Sequence, residues 1–316
     1  MLRRLLRWLF GAPSDGASAA EDCLLLRPPR PAKLDDVLQY VALTKINTSA
    51  QAFGITKALW RDDVQLHWAL AKARYGERKQ TRLMWASREG RLPRVVELIT
   101  WTSEVDAQDE RGWAPLHFAS AKGHLEVARE LMARGAKLET KAKRGNTALH
   151  RASFRGHVAV VHLLLDAGAQ IEAKSNLGAT PLILSSQEGK FEVVRELLTR
   201  GADIAANSNN GSTALKQASW KGHAETVREL LSRGAPLNAQ AANGSTPLMW
   251  ACENGHLATA TLLLDAGADL ALLDNAGWSA LRWAENRVAR NAAPRTATPR
   301  AERMTLVLLL RARGAQ

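Results

Sequence analysis

Histidines, cysteines and aromatic–cation pairs are the side chains through which this chain could do chemistry, and their spacing separates catalysis from recognition. Eight histidines are present. Four of them, His124, His157, His223 and His256, each follow a glycine at multiples of one 33-residue spacing, so a repeated structural role accounts for them. Cysteine is limited to Cys23 and Cys252, which excludes a disulfide framework and points to a reducing compartment. There is no phosphate-cradling glycine-rich loop, no paired-cysteine metal spacing and no nucleophile elbow. These absences predict no catalytic residues, no metal site and no cofactor, and leave open only catalytic groups grafted onto unusual loops. What remains is recognition. Phe154–Arg155 and Trp220–Lys221 each set a large aromatic ring beside a cation, the pairing that anchors interfaces. The competing possibility is that these rings pack across neighbouring elements and only cover core.

Those residues are positioned by a unit that repeats. A four-residue signature recurs every 33 residues without slippage: Thr81-Arg82-Leu83-Met84, Ala114-Pro115-Leu116-His117, Thr147-Ala148-Leu149-His150, Thr180-Pro181-Leu182-Ile183, Thr213-Ala214-Leu215-Lys216, Thr246-Pro247-Leu248-Met249 and Ser279-Ala280-Leu281-Arg282. A self-similar unit of this length is one supersecondary element that buries its apolar face only by stacking on its neighbours. In the unit that starts at Thr180, the threonine is placed to cap a helix, its hydroxyl accepting from a first-turn N–H. Pro181 takes the first helical position, where its missing N–H costs nothing. Gly189 lets the chain leave this inner helix through a left-handed conformation. Phe191, Val193, Val194, Leu197 and Leu198 then give an outer helix its apolar spacing. Gly201 ends it, and the polar stretch from Asp203 to Gly211 reads as a projecting turn.

The pattern resembles the ankyrin repeat, with its T-P-L-H, G-H and G-A-D signatures, over about three quarters of the chain. That resemblance implies an all-α fold: a solenoid of seven helix–turn–helix units with projecting finger loops, preceded by a short helical N-terminal segment. It implies a concave face built from inner helices and fingers, with the partner-binding positions flanking the finger glycine and late in the inner helix. Here those positions hold Arg111, Trp113, Lys122, Arg144, Phe154, Arg155, Gln187, Trp220, Lys221 and Trp278. Trp85, Trp250 and Trp283 follow the fourth signature residue and are expected to pack. Ala114 removes a capping hydroxyl, an expected local cost of about 1 kcal/mol. The signature imidazole survives only as His117 and His150, and Thr102-Ser103 replaces the first unit's Gly-Ala end. Gly314 lies 47 residues after Gly267, 14 beyond the period. Most of the extra residues lie in the stretch Asn291 to Glu302, which reads as a flexible basic loop.

Ahead of the repeats at 79–316, residues 1–33 are a basic start and a Pro/Ala/Ser-rich linker, and 34–78 a compact set of short helices. Two readings of 34–78 stay open. One is a cap over the first repeat, which a solenoid end requires. The other is a resemblance to the F-box, carried by Leu34-Asp35-Asp36-Val37-Leu38, Lys57-Ala58-Leu59-Trp60-Arg61 and Leu66-His67-Trp68, with the usual proline displaced to Pro31. That resemblance implies docking to the adaptor subunit of a cullin-type ubiquitin ligase, with the repeats choosing the substrate.

No apolar run approaches the ~18 residues that span a bilayer. The start, Met1 to Phe10, is basic, acid-free and interrupted by Arg7, against a secretory signal. A frayed terminus or a helix docked on the repeats is the leading reading, with an organelle presequence or a helix in weak contact with a membrane surface as the alternative. The expected location is cytoplasmic or nuclear, with organelle targeting as the alternative. A net charge of +12 favours acidic partners. Much of it gathers at Arg282, Arg287, Arg290, Arg295, Arg300, Arg303, Arg311 and Arg313, against only Glu285 and Glu302. Such a cluster is a solvated face or a site for acidic protein, anionic lipid or nucleic acid; protein is the expected partner and nucleic acid is not. The expected function is a non-enzymatic protein–protein interaction scaffold. A substrate-recognition subunit of a cullin-type ubiquitin ligase is the alternative.

Overall fold

A computed structural model of the chain describes residues 74–75, 80–101, 104–289 and 300–315. The basic start, the linker, the F-box-like motifs, Thr102-Ser103 and most of the insertion lie outside the described residues. One unit contains a short antiparallel pair, β1 (Arg74–Tyr75) with β2 (Gln80–Thr81), Arg74 opposite Thr81 and Tyr75 opposite Gln80. At two residues each, these strands leave the architecture all-α.

The other unit is a stack of helix pairs. The helices are α1 (Arg82–Glu89) and α2 (Leu92–Trp101), whose Arg82 and residues from Glu97 onward fall in the unit of the β pair, then α3 (Pro115–Lys122), α4 (Leu125–Ala133), α5 (Ala148–Arg155), α6 (Val158–Asp166), α7 (Pro181–Gln187) and α8 (Phe191–Thr199). They continue with α9 (Ala214–Lys221), α10 (Ala224–Ser232), α11 (Pro247–Asn254), α12 (Leu257–Asp265), α13 (Ala280–Ala289) and α14 (Arg300–Ala312). From α3 onward, odd-numbered helices pack on the next odd-numbered helix and even-numbered on the next even-numbered, while each pair also packs on itself. The signature leucines Leu116, Leu149, Leu182, Leu215 and Leu248 are buried along the inner row, and Leu131, Leu164, Leu197, Leu230 and Leu263 along the outer row. Full burial of one such side chain contributes ~1.5–3 kcal/mol, so the repeating leucines carry the stack.

Helix starts follow the expected chemistry. Thr180 Oγ1 accepts from the Ile183 N–H at 3.3 Å, and Pro181 opens α7. At Ala114, which has no hydroxyl, the His117 N–H turns instead to the Ala114 carbonyl at 2.9 Å, which offsets the missing cap. The inner turns require glycine: Gly222 has φ +76°, and a Cβ there would sit 2.5 Å from Nδ1 of His256.

Neighbouring units are also stitched by hydrogen bonds. Each finger donates to the one before it, Lys143 N to Arg111 O (2.9 Å), Asn176 N to Arg144 O (3.0 Å), Asn209 N to Leu177 O (3.0 Å) and Asn275 N to Asn243 O (3.1 Å). The side-chain amides of Asn176, Asn209 and Asn275 reinforce these steps at 2.8, 3.0 and 3.0 Å. On the other side of the inner turns, His124, His157, His223 and His256 reach back through Nε2 to the carbonyls of Arg88, Ala121, Gln187 and Trp220. The structural reading of these four histidines follows directly from those bonds.

The last unit requires one correction. Arg300, Ala301 and Glu302 do not belong to a loop; they form the first turn of α14, where Glu302 offers an acid to the helix N-terminus. Leu306, Val307 and Leu310 of that helix are buried. The apolar spacing Leu306–Leu310 continues a helical pattern upstream, and helix extension wins over the loop chemistry of Pro299. Two arginines of the C-terminal cluster are paired: Arg311 with Glu285 and Arg313 with Asp265, both at 2.7 Å.

Candidate functional site

Two regions of the inner helices and fingers collect aromatic rings and cations. The first spans the second and third units. Trp113, at the base of its finger, is half-buried and lies 5.0 Å from the ring of Phe118, centroid to centroid. The guanidinium of Arg151 on α5 stacks over the Trp113 ring, 4.4 Å from its centroid. Arg155, one turn along, is exposed beside Phe154, with 5.6 Å from guanidinium carbon to ring centroid. Burial first, then repulsion from Arg144 and Arg155, holds the Arg151 guanidinium below the usual arginine range. Two aromatic–cation stacks with cations from α5, Arg151 on Trp113 and Arg155 beside Phe154, thus stand close to Arg144.

The second region spans the fifth to seventh units and is an aromatic ladder. Trp220 of α9 meets Trp250 of α11 edge-on at 6.2 Å, and Trp250 meets Trp283 of α13 at 5.3 Å. All three are half-buried. Trp250 Nε1 donates to Ser245 Oγ (2.7 Å) and Trp283 Nε1 to Asp274 Oδ2 (2.9 Å), which fixes their ring planes. The ammonium of Lys221 sits 4.3 Å from the Trp220 ring centroid, and Arg282 lies over Trp278 at 4.6 Å. Such stacked cations are worth ~0.5–1 kcal/mol at exposed sites.

Beneath the ladder is Lys216, only 7% exposed, which fills the fourth signature position. Its Nζ donates to Ser212 Oγ (3.1 Å) and faces the Trp250 ring at 5.4 Å. No carboxylate is bonded to it, and burial pulls its ammonium down to about 8. In the units that keep histidine there, Nδ1 accepts from a backbone N–H, Ala114 N to His117 (3.1 Å) and Thr147 N to His150 (3.2 Å). Nε2 must then carry the proton, donating to the carbonyls of Asn146 and Ala179 at 3.0 Å. A second proton would meet an N–H, and burial outweighs the favourable carbonyl bonds, so both rings are pushed down to about 4. Cys252 is buried and burial raises its thiol, which makes it an inert packing residue.

These geometries place most of the sequence-derived positions in the two regions. Trp113, Arg144, Phe154 and Arg155 fall in the first, and Trp220, Lys221 and Trp278 in the second. Arg111 and Lys122 are exposed in the second unit. Gln187 lies between the regions, half-buried, its amide 3.3 Å from Glu188 Oε1.

The family described as ankyrin repeats (3 copies) matches residues 83–175, 171–241 and 234–291, well over half of the chain. The chain belongs to the ankyrin-repeat family. Among solved structures, the human ASB11 ankyrin repeat domain is similar at 26% identity and a TM-score of 0.64, over 75% of this chain and 99% of that one. The ankyrin repeat domain of Bcl-3, described as a unique member of the IkappaB protein family, is similar at 29% identity and a TM-score of 0.59, over 74% and 100%. No curated protein matches the sequence. An ankyrin-repeat domain is a general protein–protein interaction module. No helix among the described residues is long and apolar enough to cross a membrane.

Arg151, Lys216, Trp250 and Trp283 are the residues that position-by-position transfer from the ankyrin pattern does not select. Trp250 and Trp283 pack, as expected for their column, but they also carry the ladder to the surface. The available signal was the column itself: Trp85, Phe118, Arg151, Leu184, Gln217, Trp250 and Trp283 stand at equivalent positions, and Arg151 is the one cation among them.

Proposed function

We propose that this ankyrin-repeat protein binds a partner protein along the face of its inner helices and fingers, with the ladder Trp220–Trp250–Trp283 as the anchor. The supporting observation is that the three rings are half-buried yet contiguous across three units, flanked by cations. Half-exposed tryptophans with their N–H groups already bonded present apolar area at little entropic cost, the profile of an interface anchor. The surrounding positive charge favours an acidic partner. A specific complex covers ~800 Å² on this side, which requires several adjacent repeats. Binding is rigid and preorganised, so little ordering entropy is lost, and no catalysis is involved.

Affinity capture from a nuclease-treated lysate, quantified by mass spectrometry, tests this with the wild type beside Trp220→Ala and Arg228→Ala, the latter on outer helix α10. Partners lost with Trp220→Ala and kept with Arg228→Ala support the inner face; equal loss or no loss in both overturns it.

A second reading is favoured by the Leu34–Leu38, Lys57–Arg61 and Leu66–Trp68 motifs. In it the chain is the substrate receptor of a cullin-type ubiquitin ligase, acting in the cytoplasm or nucleus. Capture of the ligase adaptor by the full chain, and not by a chain lacking 31–78, is the outcome that reading requires.

A further inference from the structure

We infer that Arg151, stacked on Trp113, and its neighbours Arg144 and Arg155 form a binding site for the phosphate of a phosphoserine or phosphothreonine in the partner. This deepens the protein-binding reading above and rests on it.

The three guanidiniums come from two elements. Arg144 stands at the tip of the finger between α4 and α5, while Arg151 and Arg155 are one helical turn apart on α5. No ion pair holds any of them among the described residues, although carboxylates neutralise Arg134, Arg200, Arg233, Arg311 and Arg313 elsewhere on the stack. Arg151 is fixed by its stack on Trp113, so its fork is oriented before any ligand arrives. Its Nε is shielded from solvent and makes no hydrogen bond. Mutual repulsion with Arg144 and Arg155 is left uncompensated.

The charge balance selects the ligand. One carboxylate brings a single charge and two oxygens to three forked donors. A phosphate monoester brings about −1.5 to −2 and three acceptor oxygens, and charge-assisted guanidinium–phosphate bonds are roughly twice as strong as neutral ones. The half-buried rings of Trp113 and Phe154, which carry Arg151 and Arg155, offer apolar contact to the residues beside the phosphorylated one. A single phosphate is retained by three arginines; a polynucleotide would call for a longer basic track, and between this region and the ladder the surface carries Leu177, Leu184 and Gln187 instead.

The test uses three peptide libraries with identical random flanks, centred on phosphoserine, serine or glutamate, passed over the immobilised full chain at about 0.15 M salt. The phosphoserine library should be retained at least about tenfold more than the serine library, and clearly above the glutamate library. Arg151→Gln and Arg155→Gln should each bring that preference to within about twofold, with Arg228→Ala on outer helix α10 leaving it intact. Arg151→Lys keeps the charge without the fork, so it should lose most of the preference. If Arg151→Gln melts the stack in circular dichroism, the exposed Arg144 and Arg155 variants decide. Equal retention of glutamate and phosphoserine libraries overturns the phosphate site, as does retention indifferent to all three arginines or a single-stranded RNA homopolymer that binds more tightly through the same arginines. Partners captured through Trp220 that survive phosphatase treatment would overturn this site and leave the protein-binding reading standing. Phosphoserine retention without any Trp220-dependent partner would do the reverse.

Discussion

The two aromatic–cation regions occupy the same columns of the same repeat and solve them oppositely. In the second and third units, both signature histidines are buried, and in the third the cation Arg151 takes the column position that Phe118 holds in the second. In the sixth and seventh units tryptophans fill that column, Trp220 joins them from a neighbouring column of the fifth, and a buried cation, Lys216, replaces the fifth unit's histidine. The first region thus has a well-satisfied foundation under an unneutralised charge, and the second an apolar surface over a buried ammonium bonded to a hydroxyl and not to a carboxylate. The difference teaches that this scaffold separates two tasks, charge selection at one end and hydrophobic anchoring at the other, using single-residue exchanges that leave the backbone grammar intact.

The largest expected effect that separates the regions is acid sensitivity. The unfolded histidine value is 6.5 and those of His117 and His150 in the folded chain are about 4. Between these values the unfolded state binds more protons, so stability is full above pH 6.5 and falls as pH drops toward 4, by roughly 3 kcal/mol for each ring at most. Hydrogen exchange at pH 7 and pH 4.5 should show protection lost first in α3 and α5 and retained longer in α9 and α11; uniform loss would break the distinction.

Next in size is the anchor. Trp220→Ala should weaken partner binding by ~2 kcal/mol or more while helicity and melting temperature hold. A collapse in melting temperature would instead make Trp220 a core residue and reduce the second region to packing.

Lys216→His, restoring the repeat residue, should stabilise the chain by about 1 kcal/mol. It should also remove a pH dependence. Because the folded ammonium sits near 8 against 10.5 in the unfolded chain, the wild type should gain stability as pH rises through that window, and the variant should not. Thermal melts at pH 7 and pH 9.5 read both effects.

The smallest effect concerns the C-terminal arginines. Arg313→Ala, which removes an exposed pair with Asp265, should change stability by no more than about 0.5–1 kcal/mol in thermal melts. A larger loss would mean that α14 depends on charge pairing rather than on Leu306 and Leu310.

The repeat grammar was legible in full because each punctuating residue has a local cause: Thr180 caps, Pro181 starts, Gly189 turns. Candidate positions such as Trp220 and Phe154 were legible for the same reason, since the register assigns every residue a place in its unit. What the register does not show is which rings meet across units. Trp220 and Trp250 are 30 residues apart, three short of the period, so their contact runs diagonally between columns. Arg151 was hidden for a related reason: its partner Trp113 comes from the preceding finger, 38 positions earlier. Arg300 to Glu302 were misplaced because Pro299 signals a break, while a proline also commonly stands just ahead of a helix.

The central claim is that the inner helices and fingers form the binding face. Hydrogen-exchange mass spectrometry of the full chain with and without its captured partner tests it most directly. The account predicts new protection in α9 and α11 and in the fingers at 209–212 and 242–245, with α10 and α12 unchanged. Protection confined to α10 and α12 would contradict it.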